Sequence, residues 1–195
     1  MHGAFQEATL APIPFWFLRH GETDWNAQGI SQGNVDIPLN ATGVAQARTA
    51  AQKLKGRGIA TIVASPLSRA KVTAEFVGEL LGLPVAIDAD LREVGFGVQE
   101  GQPMSNWFAD WISGAFTPEG AETFAALRAR AVAAANRATV QPPAVLLVAH
   151  GALFRSLRAA MGIEPVMRTQ NAVPIFCEPP KHDGAAWTLT PMVSG

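Results

Sequence analysis

Short unbroken apolar runs alternate along this chain with longer segments in which apolar residues recur every three or four positions. Phe15-Trp16-Phe17-Leu18 is the first run and reads as a buried strand. Residues 59–64 read as a second buried strand, Val85-Ala86-Ile87 as a short third, and Val145-Leu146-Leu147-Val148 as a central parallel strand. Between them, Val44, Ala47, Ala51 and Leu54 keep helical spacing from Ala41 until Gly56 and Gly58 stop the helix. Ser65-Pro66 fits a helix start, with Ser as N-cap and Pro in the first turn, for a helix running to about Leu81 before Gly82. Pro118-Glu119 is expected to open a longer helix carrying Phe124, Leu127, Ala131 and Ala134 on one face. After the Gln141-Pro142-Pro143 linker and the fourth strand, a helix runs from about Ala152 to Met161. Two late strands, 172–176 and 185–189, suggest an antiparallel edge pair.

Two stretches break the rhythm. Residues 26–40, rich in Gly, Asn and Gln, read as a loop. Residues 95–117 combine glycines and Pro103 with Phe96, Trp107, Phe108, Trp111 and Phe116, and are compatible with a short helix around 104–112. These aromatics are core, lid or substrate wall; the pattern does not choose. Strands alternating with helices predict an α/β fold with a sheet covered on both faces. The expected organisation is one domain over residues 1–195, with a small lid-like insertion at about 95–118.

Composition narrows the function. Hydrophobic residues make up 48% and charged ones 16%, enough apolar material for a sizeable core and too little charge for a disordered chain. A net charge of -1 gives no global attraction to nucleic acid or anionic membrane, so any anion chemistry must rest on a local cluster of cations. No apolar stretch is long enough to span a membrane. The N-terminal segment lacks a basic region and carries Pro12 and Pro14, so it does not read as a signal peptide, and a cytoplasmic location is expected. The lone cysteine, Cys177, reads as a buried small hydrophobe.

The candidate chemistry recurs just after each strand: Arg19 and His20 after the first, Ser65 and Arg69 after the second, Arg92 and Glu93 after the third, His150 after the fourth. In a parallel sheet these C-terminal ends share one edge and can converge. The residue types suit phosphoryl transfer, where catalysis is mostly positioning and charge stabilisation. Two arginines can grip phosphoryl oxygens with planar geometry, a neutral imidazole can attack phosphorus, and a carboxyl group can serve the leaving oxygen. By sequence alone, Asp90 and Glu100 are alternatives to Glu93 as the acid. A metal site on His20 and His150 is disfavoured, because adjacent arginines repel a cation.

The chain resembles the histidine phosphatase superfamily, the phosphoglycerate mutase-like family. The resemblance rests on Arg19-His20-Gly21-Glu22-Thr23-Asp24-Trp25-Asn26, Gln32-Gly33 with Asp36-Ile37-Pro38-Leu39, Ser65-Pro66-Leu67-Ser68-Arg69-Ala70, Leu91-Arg92-Glu93-Val94-Gly95-Phe96-Gly97 with Glu100-Gly101, and Ala149-His150-Gly151, all in family order. It implies a three-layer α/β/α sandwich with a mostly parallel central sheet and an antiparallel edge. It implies that His20 becomes the phosphohistidine, that Arg19, Arg69 and His150 hold the phosphoryl group, and that Glu93 is the proton donor. Asn26, Gln32, Gly33 and Gly151 are then expected on the substrate side of the pocket. Family members need no metal or other cofactor.

The family contains hydrolases and mutases. From Val94 to Leu127 this chain has no Lys or Arg, the segment between Glu93 and His150 is short for a glycolytic mutase, and Ala152 stands where mutases usually have asparagine. These departures favour a metal-independent phosphomonoester hydrolase acting on a less anionic, partly apolar small-molecule ester. The alternative is a phosphoglycerate mutase interconverting 2- and 3-phosphoglycerate, and a silent phosphate-binding module is less favoured. No nucleic-acid or membrane partner is expected; a homodimer is left open.

Overall fold

The computed structural model describes residues 9–182 and 185–193, so most of the N-terminal stretch read against a signal peptide lies outside the described residues. Four parallel strands make up one side of the sheet: β1 (Phe15–Arg19), β2 (Thr61–Ala64), β3 (Val85–Ile87) and β4 (Val145–Ala149). With β5 (Ile175–Glu178) and β6 (Thr188–Pro191) they make one sheet in the order β3-β2-β4-β1-β5-β6. β4 lies between β1 and β2, and β5 and β6 add the expected antiparallel edge.

Strand residues alternate between faces, and here both faces are buried. Phe15, Phe17, Val145, Leu147 and Ala149 face one core, with α5 (Phe124–Thr139) and α6 (Gly151–Ala160); Phe17 stacks on Phe154 at 3.9 Å between ring centroids. Trp16, Leu18, Leu146, Val148, Ile62 and Ala64 face the other, with α2 (Ala41–Leu54) and α3 (Ser68–Leu81). The layers are therefore α/β/α. Cys177 sits fully buried in β5, and burial raises its thiol pKa.

Several boundaries differ from the sequence reading. The 26–40 loop is preceded and partly overlapped by a short helix, α1 (Asp24–Gln28), held by a capping box between Thr23 and Asn26. α3 starts at Ser68, with Leu67 as N-cap, so Ser65 does not cap it. α5 starts at Phe124 rather than at Pro118: Gly120 adopts φ 71°, and the Thr123 side chain accepts from the Ala126 N–H. α6 begins at Gly151, one residue early. The two late strands lie about three residues further along than expected. The short helix among the aromatics is α4 (Trp107–Ser113).

Candidate active site

The C-terminal ends of β1, β2 and β4 meet at one edge of the sheet. The His20 N–H donates to the Ala149 carbonyl and the Ser65 N–H to the Val148 carbonyl, each at 3.0 Å, so the ladder continues into the site. Behind them the chain must pass close to α2. A Cβ on Gly21 would stand 2.3 Å from the Gly43 carbonyl oxygen, which only glycine avoids. His20 and His150 come to rest with ring centroids 5.2 Å apart.

Each imidazole is oriented by a second group. His20 Nδ1 lies 2.7 Å from the Gly21 carbonyl oxygen. A carbonyl only accepts, so Nδ1 carries the proton and Nε2 keeps its lone pair. His150 Nε2 lies 2.7 Å from Ser65 Oγ, and that oxygen accepts from the Leu67 N–H. His150 Nδ1 is buried without a partner among the described residues; in the tautomer whose Nε2 accepts from the Ser65 hydroxyl, it carries the ring proton. Burial first, then the charge of Arg19 and Arg69, holds the His20 pKa well below the usual 6.5. His150 is lowered by burial, then by Arg69, His20 and Arg19. Both rings are therefore neutral at pH 7.

The arginines are gripped by backbone carbonyls. Arg19 Nη1 donates to Thr169 O at 2.7 Å; Arg69 Nη1 and Nη2 donate to Val35 O and Gly33 O, both at 2.8 Å. Their Nε–H groups are buried and unpartnered among the described residues. Burial, with Arg168, Arg155 and Arg69 nearby and Glu93 opposing, brings the Arg19 pKa down to about 10, so it stays charged at neutral pH. Gly151 makes room for it: a Cβ there would stand 3.3 Å from Arg19 Nε.

Glu93 follows a short 3-10 turn after β3 and is held on both oxygens. Oε1 accepts from the Val94 and Leu153 N–H groups at 3.1 and 3.0 Å, and Oε2 from Ala152 at 3.0 Å. Its carboxylate thus caps the first turn of α6, where unpaired amides favour an anion. Arg130 of α5 fixes the backbone leading to it, donating to the carbonyls of Asp90, Arg92 and Glu93 while pairing with Glu122. The alternative acids are engaged elsewhere. Asp90 pairs with Arg137, and Glu100 accepts from the Asn34 and Phe96 amides. Arg92 is exposed and away from the site.

These groups border one cleft of about 290 Å³. Its walls include Arg19, His20, Arg69, Glu93, Asn26, Gln32, Gly33 and Gly151. His150 is fully buried beside His20 and is not among the residues of the cleft wall. Thr23 links the two substrate-side amides: its hydroxyl donates to Gln32 Oε1 at 2.7 Å, and its N–H donates to Asn26 Oδ1. Asn171 Nδ2 donates to both His20 O and Asn26 Oδ1. The aromatic question divides residue by residue. Trp111 is fully buried core, Phe96 and Phe108 are both packed and cleft-lining, and Phe116 is exposed.

Sequence reasoning missed four contributors: Ser65 as partner of His150, and Arg155, Arg168 and Thr169 as cleft residues. The cation-free stretch from Val94 to Leu127 is real, yet cations enter the cleft from α6 and the segment after it. The expectation of a less anionic substrate loses its main premise.

A family model described as "Histidine phosphatase superfamily (branch 1)" matches residues 15–173. The chain belongs to this superfamily. It is 38% identical over 159 residues to "Uncharacterized phosphatase PhoE" of Bacillus subtilis (strain 168), covering 80% of this chain and 81% of that one. It is 37% identical over 166 residues to "Probable phosphoglycerate mutase GpmB" of Yersinia enterocolitica, covering 78% and 77%. Among solved structures, a mycobacterial glucosyl-3-phosphoglycerate phosphatase superposes with a TM-score of 0.75 at 30% identity, over 85% of this chain and 89% of the other.

Proposed function

We propose that this chain is a phosphomonoesterase that passes a phosphoryl group through His20 to water without a metal. One observation carries the reading. Arg19 Nε and Arg69 Nε are buried N–H donors and His150 Nδ1 is a buried ring nitrogen, all without partners among the described residues, around a neutral histidine with a free Nε2. Buried donors of this kind are rare, and a phosphoryl group would satisfy all of them at once.

In the first step Glu93 has taken up one proton as the phosphate binds and so enters as the carboxylic acid; His20 Nε2 attacks phosphorus, the P–O ester bond breaks, and Glu93 gives that proton to the departing oxygen. In the second, water attacks the phosphohistidine, the P–N bond breaks, and Glu93 accepts the proton of water. Arg19, Arg69 and His150 hold the equatorial oxygens throughout. Asn26 and Gln32, whose amide nitrogens have no partner among the described residues, face the ester side. His20→Ala should abolish phosphate release from 4-nitrophenyl phosphate and acid-labile labelling of the protein. Near-wild-type turnover in that variant would overturn the mechanism.

A mutase is the second reading, favoured by the likeness to GpmB. It requires a second acceptor oxygen held beside the phosphohistidine. Ala152, in the cleft wall next to Gly151, offers only a methyl group there. Interconversion of 2- and 3-phosphoglycerate stimulated by bisphosphoglycerate, outpacing phosphate release, would establish the mutase instead.

A further inference from the structure

Arg130 is not among the residues of the cleft wall, yet its guanidinium is spent on the chain that carries Glu93. All five of its N–H groups are engaged. Nη1 donates to the carbonyls of Asp90 and Arg92, both at 2.7 Å, and Nη2 to that of Glu93 at 3.1 Å. Nε and Nη2 donate to the two carboxylate oxygens of Glu122, at 2.8 and 2.7 Å. Glu122 is fixed in turn through its backbone. Its N–H donates to Gly95 O and its carbonyl accepts from Trp111 Nε1, each at 2.8 Å. Trp111 of α4 packs edge-on against Phe96, which lines the cleft. One guanidinium therefore joins the turn before Glu93 to the base of the aromatic insertion.

We propose that Arg130 is a positioning residue for Glu93, and that Glu122, by clamping Arg130, makes the aromatic insertion a brace for the proton carrier as well as a wall of the cleft. The inference rests on the phosphomonoesterase reading above and deepens it. The physical need comes from the proton. Glu93 is aimed by backbone amides that donate to both of its oxygens. When a carboxylate takes up a proton, one oxygen turns from acceptor to donor. The amide grip is then weakened in the very state in which Glu93 acts as the acid. The Arg130 bonds end on main-chain carbonyls, which accept alike whether Glu93 is charged or neutral. They hold the residue in place through both halves of the reaction.

The test uses benzyl phosphate and 4-nitrophenyl phosphate, which are similar in size, although only the benzyl ester needs a proton on its leaving oxygen. The readout is the ratio of their kcat values. Arg130→Lys keeps the positive charge that, after burial, Arg69, His20 and Arg19, also lowers the His150 pKa. A single ammonium cannot span three carbonyls and a carboxylate, so only the geometry is lost. Benzyl turnover should fall about tenfold or more, and 4-nitrophenyl turnover about threefold or less. Glu122→Gln should move the ratio in the same direction, by about threefold, and decides the matter if Arg130→Lys does not fold. In a Glu93→Gln background, Arg130→Lys should change benzyl turnover by about twofold or less, because its effect runs through Glu93. Equal losses on both esters in the single variants, or the full loss repeated in the Glu93→Gln background, overturn the positioning role. Should the wild type release phosphate from neither ester, or Glu93→Gln slow both equally, the phosphatase reading or the acid role fails by itself. Amide exchange at Ala152 and Leu153, measured against the β4 amides, then decides. Protection lost selectively at those two amides in Arg130→Lys upholds the positioning role, and a change in step with β4 overturns it.

Discussion

Glu93 has two duties that one substitution separates. It is the proposed proton carrier, and it caps α6 by accepting three backbone N–H bonds. In Glu93→Gln the amide oxygen can replace Oε1 and keep the Val94 and Leu153 bonds. The amide nitrogen then faces the Ala152 N–H, donor against donor. Leaving that buried amide unpaired costs about 1–3 kcal/mol. Losing a negative charge at the helix N-terminus costs about 0.5 kcal/mol more. For a chain of this size each kcal/mol lowers Tm by about 2–4 °C, so the variant should melt roughly 3–14 °C below wild type. In kinetics, alkyl phosphates should suffer far more than 4-nitrophenyl phosphate, whose leaving group departs without a proton. The assay is a thermal melt beside kcat on both ester types. An unchanged Tm would refute the capping argument. Equal losses on aryl and alkyl esters would refute the acid role, whatever the melt shows.

Two further outcomes follow from the histidines. Ser65→Ala removes the hydroxyl that orients His150, so kcat should fall about tenfold, and Tm should fall by roughly 2–12 °C because the buried Leu67 N–H loses its acceptor; kcat within twofold of wild type would remove Ser65 from the mechanism. The pH dependence of stability has a defined sign. His20 and His150 have folded-state pKa values below the unfolded 6.5, so below that pH the unfolded chain binds more protons. Their contribution is complete above pH 6.5 and is lost as pH falls below it, at up to about 1.4 kcal/mol per pH unit for each histidine. Urea midpoints between pH 7.5 and 5.5 should show this slope, and His20→Asn should flatten it; a variant as steep as wild type would contradict the buried neutral state.

The strands and the edge where they converge were legible because apolar runs report burial directly, and because chemistry-bearing residues sit at run ends. Arg19, His20, Arg69 and Glu93 were found that way and share one cleft. Helix starts were less legible. Pro66 and Pro118 look like first-turn prolines, but the local hydrogen bonds set the starts at Ser68 and Phe124. The α1 capping box had a visible signal in Thr23 and Asn26, an amide standing where Glu or Gln is usual. Arg155, Arg168 and Thr169 had none. They lie outside the run ends, and only the fold of α6 and its following segment against Phe108 and Arg19 brings them to the cleft.

The partners that aim the reactive groups are overwhelmingly main-chain atoms. Carbonyls of Gly33, Val35 and Thr169 hold the arginines, that of Gly21 holds His20, and amides of Val94, Ala152 and Leu153 hold Glu93. Every residue type brings the same carbonyl, and every one but proline the same N–H. The half-buried side chain at Val35 can therefore be exchanged without disturbing the aim of Arg69, whereas Val94 and Ala152 are held to small apolar types by the core they pack in. A cleft built this way can change what it recognises at its rim while its chemistry stays fixed, so substrate choice and reaction type are free to evolve apart.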